Sequence, residues 1–367
     1  MGYLKGFILG SWIIAQSLSL HAAEAPKTTL SSYDVISTRS MELPQYLTQY
    51  LNKNQLQQVV EELNNIRVLT PEQFYVYLRN GLTTVLSASD EALIFKTDLK
   101  VTKISLFGIL NDPFWNLLLQ SVPSDVRESY AFRSSNDSAK IQREIIGQVL
   151  WRTYDPLTSP VWMISSDLQA LHRDYEYGRT LKEALTHSHF YTQYDSKELW
   201  KEVVRLQDLA EKMLIETGLS IDLRSPTNFI VMGDKTSLRI SNIDYELIAP
   251  NRVTRSYYRK QGKVLPQIKA PRLSHRVTTT TTTEHFNRPI TSNTNSLDLN
   301  LRVAEAFIVP SDILNSREWN LTSEQALDYL QVRHNISRSE ALELLVDIPK
   351  YKNALLLKPG RCMRFLK

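Results

Sequence analysis

Three polar residues stand beside apolar runs in the middle of the chain: Asp222 and Asn228 in SIDLRSPTNFIV, and Asp244, sixteen residues further on, in LRISNIDYE. Two carboxylates and an amide supply hard oxygen ligands. Such a set suits magnesium held jointly with nucleotide phosphates. The same residues also suit a turn between buried strands, because Asp and Asn close Asx-turns where Pro and Ser cluster. Which reading holds depends on whether the chain brings the three together.

The elements that must do so are legible as changes of period. Residues 46–66 and LTPEQFYVYLRN have apolar positions at three and four, as helices do. The second has Thr70 as cap, Pro71 in its first turn and Gln73 at N3. From Gly81 the period falls to two. LTTVLSA and EALIFKT read as strands joined near Ser89-Asp90, and KVTKISLFGIL as a further strand. DPFWNLLLQSV is more helical, RESYAFRS is a short strand, and SAKIQREIIGQVLWRTY is an amphipathic helix capped by Ser138. PVWMISS and QALHRDYEY are strands, Gly178 breaks the run, and Thr180 caps LKEALTH. A long helix spans 196–217 and is closed by Gly218. Residues 222–244 are then loop, strand, a turn at Gly233-Asp234, and strand.

Residues 251–276 carry eight Lys or Arg and no acid, and Thr278–Thr283 is a run of six threonines. The expectation here is a long loop reaching about residue 298. LTSEQALDYLQVRH and SRSEALELLVDI are helical. The echo of LTPEQFYVYL in LTSEQALDYL follows from shared capping rather than from a repeat.

With 42% hydrophobic and 22% charged residues the composition is that of a globular protein, and a net charge of +4 does not imply nucleic acid. Lys5, the apolar run 6–20 and Ala23-Glu24-Ala25 form a signal-peptide pattern. The expectation is an exported, periplasmic or secreted chain with no membrane span after cleavage. Cys362 is the only cysteine, which excludes an intrachain disulfide and a cysteine metal cluster. His187-x-His189 lacks a third ligand nearby, GDKTS lacks the spacing of a phosphate loop, and no serine sits in G-x-S-x-G.

DLRSPTNFIV followed by LRISNIDYE, after a long helix and a YEYG junction, resembles the catalytic loop and metal-binding segment of the protein-kinase-like fold. The resemblance covers roughly residues 81–250. It implies an α+β, two-lobed chain: a linker and helical extension over 26–80, a strand-rich lobe over 81–178, and a mainly helical lobe over 179–367. It implies that Asp222 orients the acceptor hydroxyl and takes its proton, and that Asn228 and Asp244 hold Mg2+ against the phosphates of ATP. The backbone from Tyr175 to Tyr177 would meet the adenine edge. A cation over the phosphates needs a bracing carboxylate, and Glu144 is the natural one. Lys96 and Arg133 compete as its partner, with Lys96 preferred. Arginine there keeps the charge but presents a rigid fork.

The chain departs from that pattern. Ser220 stands two before Asp222, where many such enzymes carry histidine. The interval to Asn228 is one residue longer than usual, Tyr245 and Glu246 follow Asp244 in place of glycine, and no glycine-rich loop is visible. The implied activity is phosphoryl transfer from ATP to a protein hydroxyl. The alternative is a catalytically inactive, pseudokinase-like scaffold or protein-binding module. The basic segment favours acidic partners. ATP is scarce in a periplasm; delivery into another cell would resolve this, but nothing in the sequence shows delivery.

Overall fold

The computed structural model describes residues 43, 45–81, 83–88, 92–97, 99–120, 122–124, 139–187, 194–234, 237–268, 301–306 and 310–356, all within one unit, Thr38–Lys367. The signal-peptide pattern, the strand expected around Arg133, Ser138, His189, the threonine run and Cys362 lie outside the described residues.

The class is α+β. The order is α1 (Gln45–Thr48), α2 (Lys53–Asn65), β1 (Arg67–Leu69), α3 (Pro71–Asn80), β2 (Thr83–Ala88), β3 (Ala92–Thr97), β4 (Lys100–Ser105), α4 (Leu106–Asn111), α5 (Pro113–Gln120), α6 (Lys140–Arg152), β5 (Val161–Ser165) and β6 (Ala170–Asp174). There follow β7 (Arg179–Thr180), α7 (Leu181–Thr186), α8 (Ser196–Thr217), β8 (Ser220–Ile221), β9 (Phe229–Met232), β10 (Arg239–Asn242), β11 (Leu247–Pro250), α9 (Arg252–Lys260), β12 (Arg302–Ala304), α10 (Pro310–Asn315), α11 (Ser323–His334), α12 (Arg338–Val346) and α13 (Pro349–Leu356). Among the described residues no helix is long and apolar enough to cross a membrane.

Several boundaries differ from the sequence expectation. The helix expected over 46–66 is two helices, because Asn52 and Gln55 close a capping box that starts α2 afresh. The strand expected over KVTKISLFGIL stops at Ser105, and LFGILN is helical. Part of the expected basic loop is α9, which Asn251 caps through the Thr254 N–H. The helix bearing Glu144 starts at Lys140 without a side-chain cap, and it is buried on nearly every side rather than amphipathic.

The main sheet has the order β1-β5-β6-β4-β3-β2, with β1 and β5 parallel and the other neighbours antiparallel. Side chains alternate between its faces. Leu93, Phe95, Ile104 and Ala170 lie on one face and pack with Phe74, Leu78, Leu106 and Trp115 from α3, α4 and α5 into one core. The register puts Lys96, Val101 and Arg173 in one row of the opposite face, and Ile94, Lys103 and Leu171 in the next. On that side α6 contributes Ile141, Ile145 and Trp151 to a second core shared with α8 and the C-terminal helices. Two three-stranded sheets, β10-β9-β7 and β12-β11-β8, hold the segments on either side of Asp222 and Asp244.

His172 belongs to the first face and is 1% exposed. Its Nδ1 lies 2.8 Å from Thr102 Oγ1 and its Nε2 lies 3.2 Å from Tyr77 Oη. Burial, aided by the Lys100 ammonium and opposed by Asp174, brings the imidazole down from its ordinary 6.5 to about 4. Between these values the unfolded chain binds a proton that the folded one refuses, so stability falls as pH drops from 6.5 toward 4. The loss should reach at most about 3 kcal/mol. Denaturant titrations at pH 7 and pH 4.5 should show this slope in the wild type and a flatter one in His172→Gln; parallel slopes would assign the loss to other groups.

Candidate functional site

The site is assembled around α6. Glu144 is wholly buried, and its Oε2 lies 2.5 Å from Lys103 Nζ on β4. The same ammonium lies 3.5 Å from Asp244 Oδ1. One residue earlier on the helix, Arg143 donates through Nε at 3.0 Å and Nη2 at 2.8 Å to Glu246 Oε1. Consecutive residues of one helix therefore tie the sheet to the segment 244–246. Contact is closest at Gly147, where a Cβ would stand 1.9 Å from the Tyr245 carbonyl oxygen.

Asp244 is held on both sides. Asn228 Nδ2 donates to its Oδ2 at 3.3 Å, and Lys103 faces the other oxygen. Its backbone N–H donates to Asn242 Oδ1 at 3.2 Å, while Asn242 Nδ2 donates to its carbonyl at 2.8 Å. Asn228 sits in a single 3-10 turn, Pro226–Asn228, and its carbonyl accepts the Ile243 N–H at 2.7 Å. Burial alone would raise the Asp244 carboxyl, but the charges of Lys103, Lys140 and Arg173 outweigh it and bring the group down to about 2. Burial alone would lower the Lys103 ammonium, and Asp244 and Glu144 instead hold it above its ordinary range. Both groups are thus kept charged.

Asp222 follows β8, and its N–H donates to Glu246 O at 3.2 Å. Its Oδ1 accepts the Arg224 N–H at 2.9 Å, the Asx-turn that the sequence permits. The Arg224 guanidinium also grips both carboxylate oxygens, through Nε at 2.9 Å and through Nη2. Trp319 Nε1 donates to Arg224 O at 2.9 Å and so fixes this loop from the C-terminal region. Asp222, Asn228 and Asp244 line one cleft of about 280 Å³, with Arg224, Arg302 and Lys140 as its cations. Arg302, carried in by β12, donates to Glu246 Oε2 at 3.0 Å.

The cation that reaches Glu144 is Lys103, not Lys96. Lys96 is on the same sheet face but two residues and one strand away, and its Nζ lies over the rings of Tyr175 and Tyr177 at 4.3 and 4.8 Å. Arg133 lies outside the described residues. Tyr175 and Tyr177 meet edge to face with centroids 4.7 Å apart. The Tyr175 N–H is already bonded to Leu99 O at 2.8 Å, so it cannot also serve a ligand edge as expected. Sequence reasoning missed Lys103, Arg143, Arg224, Glu246 and Arg302. For Lys103 a signal existed: a lysine inside the apolar segment VTKISLFGIL. Arg302 had none, since its strand pairs with β11 across some fifty residues of chain.

Among the described residues no group of three or more His, Cys, Asp or Glu is placed to hold a metal ion. Asp244 and Asn228 together offer hard oxygen ligands, too few for a metal cage but enough for magnesium that takes the rest from water and phosphate. In that sense the residues fit the ion.

No protein-family model and no curated protein matches the chain. A solved structure similar to it is the Rv3197–erythromycin complex from Mycobacterium tuberculosis, at 12% identity and a TM-score of 0.30, covering 56% of this chain and 59% of that one. The chain thus spans less than two thirds of that protein's length, and a likeness this slight carries no argument.

Proposed function

We propose that this chain is a two-lobed, protein-kinase-like phosphotransferase that binds ATP with magnesium and transfers the terminal phosphoryl group to a protein hydroxyl. The observation that carries the reading is the shared ammonium of Lys103, set against Glu144 and Asp244 while Asn228 holds the second Asp244 oxygen. Such chemistry uses a lysine–glutamate brace and a metal-ligand pair, and this arrangement supports that reading. The sheet β2 to β6 with α6 forms the smaller lobe in this reading, and residues from 179 onward form the larger.

Magnesium, when bound, would neutralise phosphate charge. Asp244 and Asn228 would hold it, and the low pKa of Asp244 keeps that ligand ionised at any physiological pH. Lys103 would orient the phosphates, and Glu144 would keep its ammonium in place. Asp222 would orient the acceptor hydroxyl and accept its proton. That step needs Arg224 to yield one carboxylate oxygen, and the grip of Arg224 on Asp222 is the observation that favours the second reading, an inactive scaffold that still binds nucleotide.

Calorimetry with ATP and magnesium, followed by transfer of labelled phosphate to a broad protein mixture, separates the two. For a transferase, Asp244→Asn should weaken metal-dependent binding at least ~10-fold, and Asp222→Asn should bind normally but lose ~10² or more in turnover, because positioning and charge neutralisation supply the rate. Binding without labelling by the wild type would establish the scaffold reading. Absence of ATP binding would end both. Export is part of the proposal, and mass measurement of the exported protein should find it beginning after Ala25.

A further inference from the structure

The solvent face of α9 carries cations that nothing in the described fold uses. Asn251 caps the helix, and Thr254 and Tyr258 bury its inner side. Arg255 is engaged by the carbonyl oxygens of Pro250 and Pro266, to which it donates at 3.3 and 3.1 Å. The outer side is Arg252, Val253, Ser256, Arg259 and Lys260, all exposed. Their spacings of three, four and seven residues put them on one helical face. Lys263 and Val264 follow in the turn after the helix, and Val253 and Val264 are 66% and 87% exposed. Lys263 Nζ lies 3.3 Å from Glu211 Oε1 on α8. Among the described residues no acid lies within ion-pair distance of Arg252, Arg259 or Lys260, and the chain holds no acid from 251 to 276.

A surface whose only task is solvation mixes both signs and keeps its cations near acids. One sign of charge, held on a rigid face by a cap and a buried tyrosine, is the footprint of an anionic partner. Two observations select a bilayer surface over an acidic protein segment. The cations stand on the outside of a helix, which meets a plane and does not enclose a peptide. Aliphatic side chains also stand exposed among them, Val253 within the stripe and Val264 beside Lys263. A lipid interface takes both chemistries, headgroup phosphates for the cations and the acyl boundary for the valines.

We propose that α9 and the turn after it dock this protein peripherally on an anionic phospholipid surface, with Arg252, Arg259, Lys260 and Lys263 on the headgroups and Val253 and Val264 at the acyl boundary. The surface shares no residue with the cleft lined by Asp222, Asn228 and Asp244, so it stands or falls independently of the nucleotide reading.

The test is sedimentation of the full chain with vesicles of phosphatidylcholine alone and of phosphatidylcholine with an equal part of phosphatidylglycerol, at low and high salt. The apolar run 6–20 can enter either vesicle, so the readout is the ratio of anionic to neutral binding. Expected is a ratio well above one that falls toward one as salt is raised. Each cation near such a surface contributes about five-fold, so Arg252→Gln, Arg259→Gln and Lys260→Gln combined should bring the ratio down ~100-fold or to one. Denaturant stability should not change, because all three side chains are exposed. Val253→Ser with Val264→Ser should weaken anionic binding ~10-fold and leave the salt slope unaltered. A ratio of one in the wild type, or an unchanged ratio in the triple variant, would overturn the proposal. Wild-type binding by the valine variant would overturn it too, since a surface that reads charge alone fits an acidic protein; polyglutamate bound as tightly as the vesicles, and lost in the triple variant, would then identify that partner.

Discussion

Lys103→Met is expected to destabilise the protein by about 3–5 kcal/mol, because it leaves the buried Glu144 carboxylate without its counter-ion. The side chains of Lys103 and Glu144 are 10% and 0% exposed, so little water reaches the site to compensate. The same substitution should abolish binding of a magnesium nucleotide. Its acid limb should also move. In the wild type the stabilisation due to Asp244 is fully present above the ordinary carboxylate value of 3.8 and is lost as pH falls through about 2. Without Lys103, only Lys140 and Arg173 oppose burial, so the Asp244 carboxyl is held down less and a smaller stabilisation is lost below pH 3.8. A second substitution separates charge from packing: Lys103→Met with Glu144→Gln should regain most of the stability and none of the binding. Urea titrations of the two variants, with calorimetry alongside, are decisive. A single variant within about 1 kcal/mol of wild type would mean that the ion pair is as weakly coupled as a surface pair.

Gly147→Ala carries the second large effect. The added methyl carbon would stand 1.9 Å from Tyr245 O, 3.1 Å from Tyr245 C and 3.2 Å from Leu247 N. All three are backbone atoms of the strand entry that follows Asp244, so no side-chain rotation relieves the clash. Either α6 or the 244–247 segment must move, and both carry site residues. Overpacking of this kind costs about 3 kcal/mol or more. The variant should therefore lose stability and nucleotide affinity together. Gly262→Ala is the matched control: it has open space around it but a φ of 75°, so it should cost roughly 1 kcal/mol of strain and leave affinity unchanged. A Gly147→Ala protein with wild-type stability and binding would show that the helix and the Asp244 segment are not in close register.

How much of this could be read before the fold was known depended on how local each signal is. Helix caps are local: Thr70, Thr180 and Thr322 cap the helices that follow them, and Gly218, at φ 74°, closes α8 as its position after the last apolar turn implies. Asn228 and Asp244 were legible for a similar reason, since one short hairpin joins them, and Asp222 is brought beside them by the pairing of β8 with β11 just beyond that hairpin. The identity of the lysine was not local. Lys96 and Lys103 are seven residues apart on adjacent antiparallel strands and face the same way, and their types and flanks do not tell them apart. What separates them is which strand α6 lies against, and that is settled by close contact at Gly147, by the Arg143–Glu246 pair and by the apolar packing of Ile141 and Ile145. The same holds for Arg173, Arg224 and Arg302. Each is an ordinary arginine in sequence, and each acquires its meaning from a carbonyl or a carboxylate that the fold brings to it. Short-range hydrogen bonding and periodicity determined the elements; the pairing of charges across them was decided only in three dimensions, because electrostatic partners are chosen by distance in space and by burial, neither of which sequence spacing encodes.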